Sequence, residues 1–316
     1  MHSSLFSPVH IRTFPYTYEI MEKDIAELLF LYPNYLKTEV FARSAEGRAL
    51  YAITLGNPDA PYSLLVQAGI HGREWMNCLL VMMQLSALCG RMESSASSAF
   101  FCRHGRKKYY YHGISYQKLF SKVCVHVLPM TNPDGVTISQ RICPLWKANA
   151  RGVNLNSNFQ AGFSTLPSTK LPHYKDYKGP AFHSEPESQA LVQYTKKYKP
   201  DVVISYHETG SLLYGNYGQQ GSLKKRCYRL LDNLAKVSGY PISPDYAVSG
   251  GYSDWCVRLM KIPACTIETG TGTAPISYSQ LPSLWQKNRL ILPAAAFSIL
   301  VCGISSAVSP VPAKLE

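Results

Sequence analysis

The stretch Gln67-Ala68-Gly69-Ile70-His71-Gly72-Arg73-Glu74-Trp75 lies between an apolar run at residues 62–66 and a long apolar segment at residues 76–89. This order predicts a strand, a glycine-punctuated loop and a buried helix. The loop carries His71 and Glu74 three residues apart, so an imidazole nitrogen and a carboxylate can converge on one metal ion. Catalytic zinc sites use three protein ligands and leave the fourth position to water, so a further ligand is required.

Two other predicted strands end in residues that could complete such a site. Residues 201–207 form a β-branched run that ends in His207, and residues 264–268 form a short run that ends in Glu268 before a glycine-rich loop. An acid at a strand end is a typical active-site position. Each fragment alone is more often structural, because a histidine at a strand end usually makes an ordinary hydrogen bond.

Composition bounds the class of protein. The chain has 316 residues, of which 46% are hydrophobic, enough for one α/β domain or two small ones. Its nine cysteines form no Cys-x-x-Cys pair, which favours free thiols in a reducing compartment. Residues 1–16 lack the pattern of a secretory signal, so we expect a cytoplasmic protein.

The net charge of +12 raises the question of a polyanionic partner. A nucleic-acid footprint should cluster on one element, whereas the basic residues here fall into four separate groups. We therefore expect solvated surface and no nucleic-acid binding, with attraction to acidic substrates or cell-wall polymer still open. The groups are Arg103, Arg106, Lys107 and Lys108; Lys170, Lys175 and Lys178; Lys196, Lys197 and Lys199; and Lys224, Lys225 and Arg226.

The residues before the opening stretch predict a helix and a hairpin that lead into it. Residues 18–32 have one apolar face and end before Pro33, as an amphipathic helix does. Residues 38–43 and 49–55 alternate like two strands around a turn-rich link and predict a β-hairpin.

Later segments give four further predictions. Residues 91–117 mix small, basic and aromatic side chains and predict a loop, and the sequence Asn-Pro-Asp-Gly at residues 132–135 predicts a turn. Residues 184–198 predict a helix with Ser184 as its N-cap. Residues 290–301 are very apolar, but their limited length predicts a docked terminal helix and not a membrane span.

Taken together, residues 37–297 resemble the zinc metallocarboxypeptidase family. The resemblance implies a single α/β domain with a central eight-stranded mixed β-sheet flanked by helices. It places the catalytic domain at residues 37–308, after a lead-in at residues 1–36 and before a short tail at residues 309–316.

The same resemblance assigns the site. His71, Glu74 and His207 match the family's ligands for one Zn²⁺ per chain, and Glu268 matches its general base. Ser249-Gly250-Gly251 matches the segment that carries the family's mobile tyrosine, which gives Tyr246 the role of a hydrogen-bond donor to substrate.

The sequence of the middle segment is similar to that of one bacterial branch of the family, the γ-D-glutamyl-(L)-meso-diaminopimelate peptidases I. The similarity rests on residues 146–156, 177–180 and 184–187. It implies a peptidoglycan-derived peptide substrate, cut between D-glutamate and diaminopimelate. The alternatives are a zinc carboxypeptidase that removes C-terminal residues from peptides and a non-catalytic binder of wall peptides.

Two positions depart from the digestive members of the family. Those enzymes carry an Asn-Arg pair whose arginine grips the substrate's C-terminal carboxylate, whereas this chain has Asn156-Ser157, and a hydroxyl cannot replace that clamp. We expect Asn156 to bind a substrate carboxylate or amide. The common Gly-Val-Asp reads Gly152-Val153-Asn154, so a neutral amide would orient a zinc-bound imidazole.

A fixed cation should stabilise the oxyanion that develops during hydrolysis. Lys147 stands where digestive relatives have an arginine directly after the tryptophan, and Arg151 is the alternative.

Overall fold

The structure is a computed structural model that describes residues 9–96, 109–245 and 250–304. Its main sheet contains seven strands: β1 (Leu36–Arg43), β2 (Ala49–Leu55), β3 (Tyr62–Gln67), β6 (Val123–Leu128), β7 (Val202–Glu208), β8 (Leu212–Tyr214) and β9 (Ala264–Thr269). Strands β4 (Tyr110–Tyr111) and β5 (Ile114–Ser115) form a separate hairpin. The helices are α1 (Tyr18–Leu31), α2 (Met76–Ala96), α3 (Tyr116–Lys122), α4 (Pro133–Arg141), α5 (Pro186–Tyr198), α6 (Gly221–Ser238), α7 (Tyr252–Arg258), α8 (Leu281–Asn288) and α9 (Ile291–Val301).

The strand order in the main sheet is β1-β2-β6-β3-β7-β9-β8. The four central strands β6, β3, β7 and β9 run parallel to one another, while β1, β2 and β8 pair antiparallel with their neighbours. The carboxyl ends of the parallel strands therefore meet at one edge of the sheet. Functional residues of α/β sheets collect at this edge.

The mixed α/β architecture is confirmed, but the expected eighth strand is missing from the described part of the sheet. At the β8 edge, Ile242 forms one isolated parallel bridge with Leu213 and no strand. Pro241 and Pro244 flank this bridge and have no N–H to donate. Every second residue of a strand donates to the same neighbour: the Ser243 N–H donates to the Leu213 carbonyl at 2.8 Å, whereas Pro241, two residues earlier, cannot donate, so the pairing does not extend past it.

Helices cover both faces of the sheet. Along β3, Leu64 and Val66 join one apolar cluster, which includes residues of α1, α2 and α9, while Leu65 joins a second cluster with residues of α5 and α7. Strands buried on both faces read as continuous apolar runs, which explains the sequence of residues 62–66.

Several local predictions are confirmed. Helix α1 and the β1–β2 hairpin lie where the sequence placed them. The apolar helix α9 packs on α6 and on the sheet, and no helix among the described residues combines the length and apolar content that crossing a bilayer requires. All cysteines in the described ranges carry free thiols; Cys102 lies outside them.

Three local predictions are wrong. The predicted loop at residues 91–117 contains the end of α2, the β4–β5 hairpin and the start of α3, and its residues 97–108 lie outside the described ones. The predicted turn at residues 132–135 is the start of α4, because the side chain of Asn132 caps the Gly135 N–H. Helix α5 has Glu185, not Ser184, at its N-cap position.

Candidate functional site

Three side chains predicted as metal ligands meet at the carboxyl edge of the sheet. His71 and Glu74 lie in the loop after β3, and His207 lies near the end of β7, which pairs in parallel with β3. One donor atom from each lies within 4.8 Å of the other two. His71, Glu74 and His207 are 3%, 2% and 2% exposed, so all three side chains are shielded from bulk solvent.

The contacts within this cluster define which atoms face inward. Glu74 Oε1 lies 2.7 Å from His71 Nδ1, and Glu74 Oε2 lies 3.0 Å from His207 Nδ1. The two Nδ1 atoms are 3.2 Å apart. Both imidazoles therefore present Nδ1 to a common centre with the carboxylate.

The outward nitrogens have separate oxygen partners. His71 Nε2 lies 3.1 Å from Asn154 Oδ1, and His207 Nε2 lies 3.1 Å from Ser205 Oγ. Asn154 Oδ1 also accepts from the Asn156 backbone N–H, at 3.1 Å, so it can serve His71 only as an acceptor. A neutral His71 then carries its proton on Nε2 and directs the Nδ1 lone pair inward.

Lone pairs this close repel unless they share a proton or a metal cation. The donor set of two imidazoles and one carboxylate is the set that catalytic zinc uses, with a fourth position left for water. His71, Glu74 and His207 therefore fit a zinc ion with both imidazole rings in their present orientations.

The charges within the cluster follow from burial and proximity. Burial lowers the pKa of His71 to about 3, so this imidazole is neutral and able to bind a metal. Burial alone would raise the pKa of Glu74, but the charges of His71 and His207 and their hydrogen bonds hold it well below its ordinary value. Burial alone would lower the pKa of His207, but the hydrogen bond and charge of Glu74 outweigh it and raise the pKa.

Glu268 stands beside this cluster without belonging to it. It lies in β9 and is the register partner of His207 in β7. Burial raises the pKa of Glu268 to about 7, although the charges of His207 and Lys147 oppose the rise. A carboxyl group that titrates near neutral pH can act as a general base or acid.

The structure separates the two candidate cations. The Lys147 carbonyl accepts from the Gly72 N–H at 3.1 Å, directly after His71, and its positive charge contributes to lowering the pKa of His71 and Glu268. Arg151 is 58% exposed, and its guanidinium lies 3.8 Å from Glu185 Oε2. Of the two, Lys147 acts electrostatically on the cluster.

Two of the residues predicted to bind substrate, Asn156 and Ser157, follow Asn154, which contacts His71. Asn156 Oδ1 accepts from the Tyr252 N–H at 3.0 Å, at the start of α7. Ser157 is half-buried and ends a short 3₁₀ helix, Leu155–Ser157. Tyr246 and Ser249 lie outside the described residues.

Sequence reasoning assigned no role to Ser205 or Glu208. Ser205 stands two residues before His207 on the strand, and such positions point to the same face. This spacing alone could have predicted a contact between the two side chains. The Glu208 N–H donates to Glu74 Oε2 at 3.2 Å, and burial raises the pKa of the Glu208 carboxyl well above its ordinary value. Glu208 therefore contributes to the cluster through its backbone N–H.

Comparisons with known proteins show what this chain is similar to. Residues 21–291 match the family model described as zinc carboxypeptidase. The chain is 24% identical over 294 residues to gamma-D-glutamyl-L-diamino acid endopeptidase 1 of Lysinibacillus sphaericus, covering 86% of this chain and 70% of the relative.

Solved structures share the fold. Carboxypeptidase A from Helicoverpa armigera superposes with a TM-score of 0.68 at 19% identity, covering 89% of this chain and 73% of the other. Murein-tripeptide amidase MpaA from Escherichia coli O157 gives a TM-score of 0.52 at 24% identity, covering 82% and 89%.

Proposed function

Since this chain belongs to the zinc carboxypeptidase family and is a zinc metallopeptidase, we propose that it hydrolyses the γ-D-glutamyl-meso-diaminopimelate bond of peptidoglycan stem peptides. The names of two similar proteins support this substrate class: an endopeptidase for γ-D-glutamyl-diamino acid bonds and an amidase for murein tripeptide.

The chain's own residues divide the chemistry among them. His71, Glu74 and His207 would hold zinc, which when bound supplies Lewis acidity that polarises a carbonyl and acidifies water. Glu268 takes the proton of the attacking water and passes it to the leaving amine. Lys147 provides a fixed positive charge for the developing oxyanion.

The observation that carries the choice of substrate is Ser157. Digestive members place an arginine there to hold the free C-terminal carboxylate of their substrates. Here a half-buried hydroxyl stands in a short 3₁₀ helix beside Asn156. A neutral hydroxyl and amide can hydrogen-bond a carboxylate or an amide, but they lack the charged, forked contact that makes a C-terminal carboxylate mandatory.

The test compares two substrates at saturating zinc. One is L-alanyl-γ-D-glutamyl-meso-diaminopimelyl-D-alanine, in which the γ-D-glutamyl-diaminopimelate bond is internal, and the other is a dipeptide with a blocked N-terminus and a free C-terminal carboxylate. Release of the amine product is followed by liquid chromatography and mass spectrometry. We expect kcat/KM to be about 100-fold higher for the stem peptide, because only the dipeptide depends on the charged contact to a C-terminal carboxylate that this chain lacks, and one such contact corresponds to roughly this factor.

The outcomes separate the alternatives. Preference for the blocked dipeptide would make the protein an ordinary carboxypeptidase. Binding of the stem peptide without cleavage of either substrate, in protein that holds zinc, would make it a non-catalytic binder.

A further inference from the structure

We propose that Gln67 and Ser205 are positioning residues for His207, and that a buried hydrogen-bonded row from Thr131 through Gln67 and Ser205 holds this imidazole in its metal-binding orientation. The inference rests on the zinc centre of the proposed function. It concerns side chains to which the family resemblance assigned no role.

The fold brings these residues together by strand register. Gln67 is the last residue of β3, and its register partner in β7 is Ser205. His207 follows two positions later on the same face of β7. Thr131 joins from beyond β6, where its N–H donates to the Ala68 carbonyl at 3.0 Å.

The contacts form a continuous row. The Thr131 hydroxyl donates to Gln67 Oε1 at 3.1 Å, and the Gln67 amide N–H donates to Ser205 Oγ. Ser205 Oγ in turn lies 3.1 Å from His207 Nε2. Gln67 and Ser205 are fully buried and Thr131 is 1% exposed, so water does not compete for these groups.

Hydrogen bonds within this row offset the free-energy cost of burying its polar groups. A buried glutamine in an apolar strand loses free energy unless both ends of its amide are hydrogen-bonded. Here both ends are satisfied, and one of them restrains the serine hydroxyl that faces the ligand.

The need for an acceptor arises from the metal-binding tautomer. When His207 binds through Nδ1, its proton resides on Nε2 and requires a hydrogen-bond acceptor in a dry site. Ser205 Oγ has two lone pairs and can accept from Gln67 and from His207 together. Gln67 thus acts on the metal only through Ser205, which fixes the ring angle of His207.

The two zinc-binding imidazoles are therefore supported differently. His71 is held by the amide oxygen of Asn154, which lies in the loop before the 3₁₀ helix. His207 is held from inside the sheet by a chain of two side chains. Loss of the sheet-side support should affect zinc binding without altering the residues that contact substrate.

The experiment measures zinc affinity in Ser205→Ala, Gln67→Met, the double variant and wild type, by competition with a chromophoric chelator. Removing an outer partner of a metal-bound histidine typically weakens metal affinity roughly tenfold to hundredfold, and we expect this for Ser205→Ala. Gln67→Met should weaken it by a smaller factor. The double variant should be no weaker than Ser205→Ala, because Gln67 acts through Ser205.

Two controls separate positioning from general stability. Ser298→Ala removes a fully buried serine hydroxyl in α9, and it should leave zinc affinity unchanged. Urea unfolding with excess chelator reports the stability of each variant without zinc. The visible spectrum of cobalt-substituted protein should change in Ser205→Ala, because the angle of one ligand changes.

The inference is overturned if Ser205→Ala binds zinc as wild type does, or if the effects of Ser205→Ala and Gln67→Met simply add. Should Ser205→Ala fail to fold, Gln67→Met and Thr131→Val decide the question by the same zinc measurement. None of these readouts uses the stem peptide. Failure to cut the stem peptide with normal zinc results would therefore reject the proposed substrate alone.

Discussion

Replacing Glu268 with glutamine tests the assignment of the base most directly. The side chain lies opposite His207 in the β7–β9 register but outside the three-residue ligand cluster. Glutamine has the same size and cannot take a proton from water. A positioned general base contributes about 10²- to 10⁴-fold, or about 3–5 kcal/mol of activation free energy, so turnover should fall by that factor.

The pH profile should identify the same group. Burial raises the pKa of Glu268 to about 7, and the carboxylate must be ionised to accept a proton. Activity should therefore be present above this pKa and fall about tenfold per pH unit below it. A bound divalent cation lowers the pKa, so the midpoint should lie at or below pH 7. Glu268→Gln should lack this limb.

The assay pairs turnover of the stem peptide with zinc content determined by mass spectrometry. Glu268→Gln should keep its zinc, because His71, Glu74 and His207 remain. Glu27→Gln, an exposed carboxylate on α1, serves as the matched control and should retain wild-type turnover. If Glu268→Gln holds zinc and keeps more than about a tenth of wild-type turnover, the reasoning is refuted and another group is the base.

Three further predictions concern the two candidate cationic residues, the metal and a buried histidine outside the site. Lys147→Met should lower kcat by about 10²- to 10³-fold, as loss of an oxyanion donor does. Arg151→Met should change kcat only a few-fold, because Arg151 lies beside Glu185. Steady-state kinetics of both variants measures the two effects. Removing zinc with a chelator should lower the Tm by roughly 10 °C, because a ligand present at a thousand times its Kd stabilises a fold by about 4 kcal/mol. Differential scanning calorimetry with and without zinc measures this change in Tm. Burial lowers the pKa of His126 from 6.5 to about 4, so the unfolded chain binds the proton first, and stability should fall by roughly 3 kcal/mol as the pH drops from 6.5 to 4. Urea titrations should show a pH slope that is smaller by about this amount in His126→Gln than in wild type, because His71 contributes to the slope in both proteins.

The elements that carry the candidate metal ligands could be predicted from the sequence because their signals are local. A short apolar run ending in a polar residue and glycine marks a strand and its exit loop, as at Gln67 and His71. The parallel arrangement then brings His207 and Glu268 to the same edge, since the carboxyl ends of parallel strands coincide.

Other features depend on contacts between distant segments. The sequence Asn-Pro-Asp-Gly fits a turn and a helix start equally well, and α4 forms because Asp134 is buried against the β1–β2 turn, where it accepts from Ser44 and Arg48. Likewise, Lys147 and Arg151 cannot be ranked from the sequence. Only the fold places Glu185 beside Arg151 and brings the charge of Lys147 to bear on His71.

The two departures from the digestive enzymes offset each other in charge. Asn154 removes a negative charge from beneath His71, and Ser157 removes a positive charge from the part of the site that would hold a C-terminal carboxylate. Because a neutral amide lends less negative charge to the imidazole, a zinc ion bound here would be held less tightly and would polarise a carbonyl more strongly. Ser205 is equally neutral beneath His207, so neither imidazole is backed by a carboxylate. A zinc ion bound here would therefore be more electrophilic than one backed by carboxylates, while the site would lack a fixed charge for a terminal carboxylate.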